Sequence, residues 1–260
     1  MQALLKKERI ASEPTPFSPW GLRLLDKPNV TDSDAFKKGA VEVQDEGSQL
    51  LALLVDAKRG EMVVDFCAGG GGKTLALGAA MRNTGRLYAM DTSAHRLDGL
   101  KPRLARSGLS NVHPLAIAHE RDDRIKRLSG KIDRVLVDAP CSGLGTLRRS
   151  PDLKWRQFPE GVQQGVQLQN AILDSAARLL KSGGRLVYAT CSTMVEENEE
   201  VAQAFSQRHP QWVPLSVKDV LTELKVDQAA GVCSQDGLYL RMWPHLHGTD
   251  GFFAAIWTAP

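Results

Sequence analysis

The chain has 260 residues, 42% of them hydrophobic and 24% charged, which is enough for one large globular α/β domain with a small appendage. No apolar run reaches about 18 residues and the opening MQALLKKERIASEP lacks an apolar signal core, so neither a membrane span nor secretion is expected, and the protein reads as cytoplasmic and monomeric. A net charge of +3 permits an anionic partner without requiring one.

Residues 1–45 are proline-rich, and Pro14, Pro16 and Pro19 rule out a continuous helix there, so this stretch is expected to be irregular. A second unit, 46–260, opens on GSQLLALLVDA (47–57), whose apolar spacing is helical, with Ser48 a candidate cap. Strand and helix then alternate. MVVDF (62–66) is a strand, 73–82 a helix, RLYAMD (86–91) a strand and 93–107 a helix. VHPLAIA (112–118) and DRVLVD (133–138) are further strands, and a helix over 162–181 is stopped by SGG. RLVYAT (185–190) is a strand and EENEEVAQAFSQR (196–208) a helix with an acidic first turn. GLYLRMW (237–243) and GFFAAIW (251–257), joined through HLHGTD, suggest an antiparallel hairpin. Repeated βα units predict a mostly parallel sheet with helices on both faces.

The first strand runs into VVDFCAGGGGKT (63–74). A P-loop needs glycine where Cys67 stands, and the dinucleotide pattern needs glycine where Thr74 or Leu75 falls. What remains is an acid, Asp65, a glycine-rich turn, and a second strand ending in Asp91, an acid suited to ribose hydroxyls. Open glycine backbone beside Asp65 suits an amino acid tail better than a pyrophosphate, which favours S-adenosylmethionine.

Two later strands end in DAPCSG (138–143) and ATCS (189–192), so Cys141 and Cys191 should meet in the crevice that holds the donor. A lone cysteine is more often a small buried hydrophobe, and Cys67 and Cys233 receive no catalytic role. None of the four cysteines lies in a CxxC pair, so neither a disulfide framework nor a bound metal is expected. A methyl donor beside two thiols suits methylation at C5 of a pyrimidine. A thiolate adds at C6, an acid such as Asp138 serves N3, and a second thiol helps remove the C5 proton. Two other readings stay open on these residues alone. One is a methyltransferase for a small molecule or protein, with structural cysteines; the other is an RNA-binding scaffold without turnover.

VQDEGSQLLALL, DFCAGGGGKT, DAPCSGLGTLRRSPDLKW, YATCS with EEN, and GTDGFF resemble, in order, the Nop/Sun family of RNA cytosine-5 methyltransferases, the bacterial ribosomal RNA enzymes above all. The resemblance covers residues 10–260 and implies a Rossmann-like class I methyltransferase fold. It implies Cys191 as the nucleophile and Cys141 as the thiol that assists product release. It also implies donor contacts from Cys67, Ala68, Gly69, Gly70, Gly71, Gly72, Lys73, Asp91 and Asp138. Three departures stand out. Gly69 and Gly70 replace the family's Ala-Pro. The acid expected after the third strand has no clear counterpart in AIAHERDD, where Glu120 is the assignment made. The longer N-terminal RNA-recognition region of the family is represented only by its end.

LRRSPDLKWRQF (147–158) sets Arg148, Arg149, Lys154 and Arg156 around Trp155, just after the Cys141 loop. Cations neutralise phosphates and an aromatic stacks on a base, so these five are expected to contact RNA. The competing reading is a solvated loop with Trp155 packed into the core.

Overall fold

The computed structural model describes residues 1–26 and 28–260. The chain begins with helix α1 (Gln2–Lys7), a hairpin of β1 (Ser12–Pro14) and β2 (Leu22–Leu24), and the short helix α2 (Asp34–Lys37). This stretch is more regular than its prolines suggest, because Leu5, Ile10 and Ala35 form a small core of their own with Leu22, Leu24, Val30 and Val41 packed around it. Helix α3 (Glu46–Val55) is capped by Asp45, whose side chain accepts from the Gly47 N–H. Ser48, the expected cap, lies inside the first turn and accepts from Gln44 Nε2.

The alternating part follows as β3 (Met62–Asp65), α4 (Gly72–Ala80), β4 (Arg86–Asp91), α5 (Ala94–Ser107), β5 (Val112–Ala116), α6 (Asp123–Lys126) and β6 (Ile132–Asp138). Then come α7 (Pro159–Ala177), β7 (Leu180–Thr190), α8 (Glu199–Arg208), β8 (Val213–Leu215), α9 (Val217–Glu223), β9 (Leu240–Met242), α10 (Pro244–His247) and β10 (Phe252–Thr258). The large sheet has the order β5-β4-β3-β6-β7-β10-β8, with β9 also on β10. Strands β3 to β7 are parallel, and β10 is antiparallel to β7, β8 and β9. The predicted mixed sheet with a C-terminal hairpin is therefore what forms, and α10 occupies the predicted turn.

Side chains alternate across the sheet as strand geometry requires. Val63, Leu87, Leu136 and Val187 face one core with α3, α4, α5 and α9. Val64, Val135, Val137, Tyr188 and Trp257 face the other with α7 and α8. Strand order reverses between β3 and β6, and a crevice opens beyond the carboxyl ends of strands at such a point.

Several boundaries differ from the sequence reading, among them those of α7 and α8. Helix α7 stops at Ala177, and the SGG stretch lies within β7, where the register against β6 slips between Ile132 and Arg134 and Gly183 takes φ +72°. Helix α8 starts only at Glu199, because Glu197 and Asn198 are fully buried and bonded elsewhere.

Candidate active site

Strands β3, β4, β6 and β7 deliver Asp65, Asp91, Asp138 and Cys191 to one edge of the sheet. The glycine-rich loop hangs from β4: Ala68 N donates to the Met90 carbonyl and Gly69 N to Asp91 Oδ2, both at 2.8 Å. Gly69 and Gly71 have φ of +54° and +82°, where glycine is strongly favoured, and a Cβ on Gly71 would come within 2.2 Å of Leu100 Cδ1. Gly70 and Gly72 stay open, with only Arg103 and Gln44 nitrogens within reach. The Cys67 side chain packs against the core shared by α7 and α8, and burial pushes its thiol well up, in keeping with a structural role.

Asp65 is fully buried. Its Oδ2 accepts from Thr74 Oγ1 at 2.7 Å, while Oδ1 has no partner among the described residues. Burial raises its pKa to about 7, although the Thr74 hydrogen bond works the other way. An orphaned carboxylate oxygen beneath an open glycine loop fits a ligand ammonium, and Asp91, sharing its oxygens with the Gly69 and Ser93 amides, keeps lone pairs for hydroxyls. The residues present thus fit the amino acid tail and ribose of S-adenosylmethionine.

Cys141 and Cys191 meet with their sulfurs 3.5 Å apart. With Cys141 as the donor of the S–H between them, that hydrogen bond pulls the Cys191 thiol below its usual range against burial and the Asp138 carboxylate, and the Lys73 ammonium acts in the same direction as the hydrogen bond. The same hydrogen bond, together with burial, drives Cys141 well up. Lys73 Nζ lies 2.8 Å from Asp138 Oδ2. Burial opposes its charge, yet Asp138 outweighs that and raises the ammonium above its ordinary pKa. One edge of the sheet therefore holds a cysteine shifted toward its thiolate, a cysteine shifted toward its thiol and a half-buried ion pair.

The cysteine loops are held by residues that received no role from the sequence alone. The buried Glu197 carboxylate accepts from Ser142 N at 2.8 Å, from Ser142 Oγ at 2.5 Å and from Gln169 Nε2 at 3.1 Å. Ser142 Oγ lies 3.1 Å from Ser192 Oγ, and Asn198 Nδ2 donates to the Ser192 carbonyl, so the two cysteine segments are bonded to each other. Gly145 N donates to the Cys191 carbonyl at 2.9 Å, and Gly251 N to the Gly145 carbonyl at 2.8 Å. A Cβ on Gly145 would lie 2.3 Å from the Gly251 carbonyl oxygen, so only glycine allows this crossing. The acidic run EENEE was the available signal, but nothing in it separates Glu197 from its exposed neighbour Glu196.

Residues 52–258 match the family described as 16S rRNA methyltransferase RsmB/F. The chain belongs to this family. It is 37% identical over 228 residues to the probable ribosomal RNA small subunit methyltransferase B of Bacillus subtilis (strain 168), across 87% of this chain and 49% of that one. It is similar to a methyltransferase homolog protein from Pyrococcus horikoshii (TM-score 0.80, 29% identity, 98% of this chain and 80% of that one). It is also similar to NSun6 from Pyrococcus horikoshii, solved with the S-adenosylmethionine analogue SFG (TM-score 0.77, 26% identity, 92% and 59%). The fold is the Rossmann-like one of these neighbours. The chain spans about half the length of the curated relatives it matches.

Around this family core, the outer candidates separate. Arg149, expected on RNA, is committed to the buried Asp250 through both Nε and Nη2. Arg148 Nη1 donates to the Gly248 carbonyl at 3.0 Å, so both arginines tie the loop to the GTDG stretch. Arg156 is paired with Asp152 at 2.8 Å, and Lys154 sits 5.0 Å from the Trp155 ring. Trp155 is 74% exposed, which excludes the core-packed reading. In the loop after β5 the ordering acid is Asp122, held well below the usual carboxylate range by Arg124 and by the Ala118 and Arg124 amides. Glu120 is half-buried and pairs only with Arg121, at 3.4 Å. No group of three or more metal-ligating side chains occurs among the described residues, and no helix there is long and apolar enough to cross a membrane.

Proposed function

We propose that the chain methylates C5 of a cytosine in RNA, with small-subunit ribosomal RNA as its substrate class, through a covalent bond between Cys191 and C6 of the base. The observation that carries this reading is the thiol pair 3.5 Å apart beside the Lys73–Asp138 ion pair. The loop 67–73, with Asp65 and Asp91, holds the amino acid tail and ribose of S-adenosylmethionine, and Glu120 is the candidate for its adenine edge. When bound, the donor supplies an electrophilic methyl group.

The chain's own residues account for the rest. Cys191, favoured as thiolate by the Cys141 S–H and by Lys73, adds to C6. Asp138 lies at N3 and relays to it a proton from the Lys73 ammonium, so that charge developing on the ring is neutralised and C5 becomes nucleophilic. Once C5 carries the methyl group, Cys141 acts as a relay: its S–H proton passes to the departing Cys191 sulfur and its own sulfur takes the C5 proton. The electrons of the C5–H bond restore the ring as the Cys191–C6 bond breaks, and N3 returns its proton to the Lys73–Asp138 pair. Because the thiolate must approach the face of the ring, the cytosine has to be unstacked.

The test is a denaturing gel of protein incubated with S-adenosylmethionine and a small-subunit ribosomal RNA transcript. Cys141→Ala should accumulate a slow-migrating protein–RNA band, and Cys191→Ala should give neither band nor methylated RNA. A Cys141→Ala band that persists when Cys191 is also replaced would overturn the assignment of roles.

A further inference from the structure

Trp155 and Phe158 are 74% and 63% exposed, the most open tryptophan and phenylalanine side chains among the described residues. Their backbone is nonetheless fixed. Gln157, between them, donates through Nε2 to the Ser142 carbonyl at 2.8 Å, one residue beyond Cys141. Phe158 then caps α7, whose Gln169 is bonded to the Pro140 carbonyl. The two rings are therefore held open on a segment tied directly to the Cys141 loop. Val195, after Cys191, and Leu168, on α7, are also exposed. Folding does not explain the exposed pair of rings, since neither is buried.

We infer that Trp155 and Phe158 form a stacking step for the unpaired nucleotides that flank the reacting cytosine. The inference deepens the RNA reading above and rests on it. An aromatic ring can take the face of any base, but only where that face is free, and in a duplex neighbouring pairs cover it. Lys154, exposed and beside Trp155, supplies the cation for an adjoining phosphate. That charge on an apolar step favours a polyanion with flat rings over a protein partner. The step also fits the chemistry, because a base held out of its stack leaves neighbours whose faces need cover.

The test uses the full 260-residue chain and a fluorescent single-stranded oligoribonucleotide carrying one cytosine between purines, alone and annealed to its complement. Trp155→Ala and Phe158→Ala should each weaken single-strand binding about tenfold, with Trp155→Phe and Phe158→Tyr restoring it. The dependence on salt should not change in these variants, whereas Lys154→Ala should make it shallower. The duplex should bind more weakly and ignore both ring substitutions. Unchanged single-strand affinity in Phe158→Ala, or equal losses on the duplex, would refute the stacking step. So would a change in sedimentation of the free protein without a change in RNA affinity, which would mark a protein-binding face. Failure of the Cys141→Ala adduct with stacking intact would instead strike the proposed chemistry and leave the surface standing.

Discussion

A sulfur–sulfur distance of 3.5 Å lets one cysteine donate its proton to the other, and the surroundings decide the direction. At Cys191 the Lys73 ammonium offsets part of the Asp138 carboxylate, while Cys141 faces the Glu197 carboxylate with no such cation among the described residues, so the negative charge is better placed on Cys191. A hydrogen bond to a thiolate favours the charged form. Removing its donor must therefore raise the Cys191 pKa. Iodoacetamide labelling of Cys191, followed by mass spectrometry across pH, should show its midpoint moving up in Cys141→Ala and staying near wild type in Cys141→Ser, which keeps a donor. Lys73→Met should move it up as well. A midpoint that falls or stays put in Cys141→Ala would mean that the proton sits on the other sulfur. The meeting of the two thiols was legible in the sequence, because both close a strand on the same edge. Their ranking came only through the family resemblance, since it depends on Lys73, far from both cysteines in the chain, and on Glu197, whose burial against the Cys141 loop local spacing does not show.

The elements that carry the thiols are joined by backbone as much as by side chains. Gly145 lies between the Cys191 carbonyl and Gly251 N–H, with no room for a methyl group. Gly145→Ala must push the Cys191 loop from the β10 entry, at a cost of about 1–3 kcal/mol from overpacking. Chemical denaturation should register that loss, and adduct formation should fall further than the loss of folded protein explains. Full adduct yield in a destabilised Gly145→Ala protein would show that the crossing is structural only. Glu197→Gln tests the side-chain half of the joint. One acceptor oxygen becomes a donor, facing the Ser142 N–H and Gln169 Nε2 at the Oε1 position or the Ser142 hydroxyl at Oε2, which costs about 1–3 kcal/mol of unmet hydrogen bonding. The βα alternation that places these elements was readable from apolar periodicity and turn residues. The end of α7, the start of α8 and the cap of α3 were not. The last two are set by a polar partner from a distant segment: Glu197 binding Ser142, and Asp45 receiving the Asp250 amide. Local spacing cannot show such partners.

At the scale of the whole molecule, the donor crevice is built at the expense of stability. Asp65 lies fully buried at the end of the central strand β3, with one oxygen unpartnered and a pKa raised from 3.8 to about 7. A carboxyl whose folded pKa is raised favours the fold only while protonated. Its contribution is complete below the unfolded value and is lost as pH rises through the folded one. Between pH 4 and 7 the loss amounts to about 4 kcal/mol at most. Asp65→Asn carries no charge at any pH, so its melting temperature should match wild type near pH 4 and exceed it by several degrees at pH 8. Other carboxylates titrate in both proteins and cancel in the difference. A ligand ammonium at Asp65 Oδ1 would reverse the effect by favouring the ionised acid. S-adenosylmethionine binding near pH 6 should then release protons, visible in calorimetry as a heat that varies with buffer ionisation enthalpy, and Asp65→Asn should abolish that release. A difference in melting temperature that does not grow with pH would show that Asp65 is ionised in the free protein, and donor binding without proton release would remove it from the ammonium site.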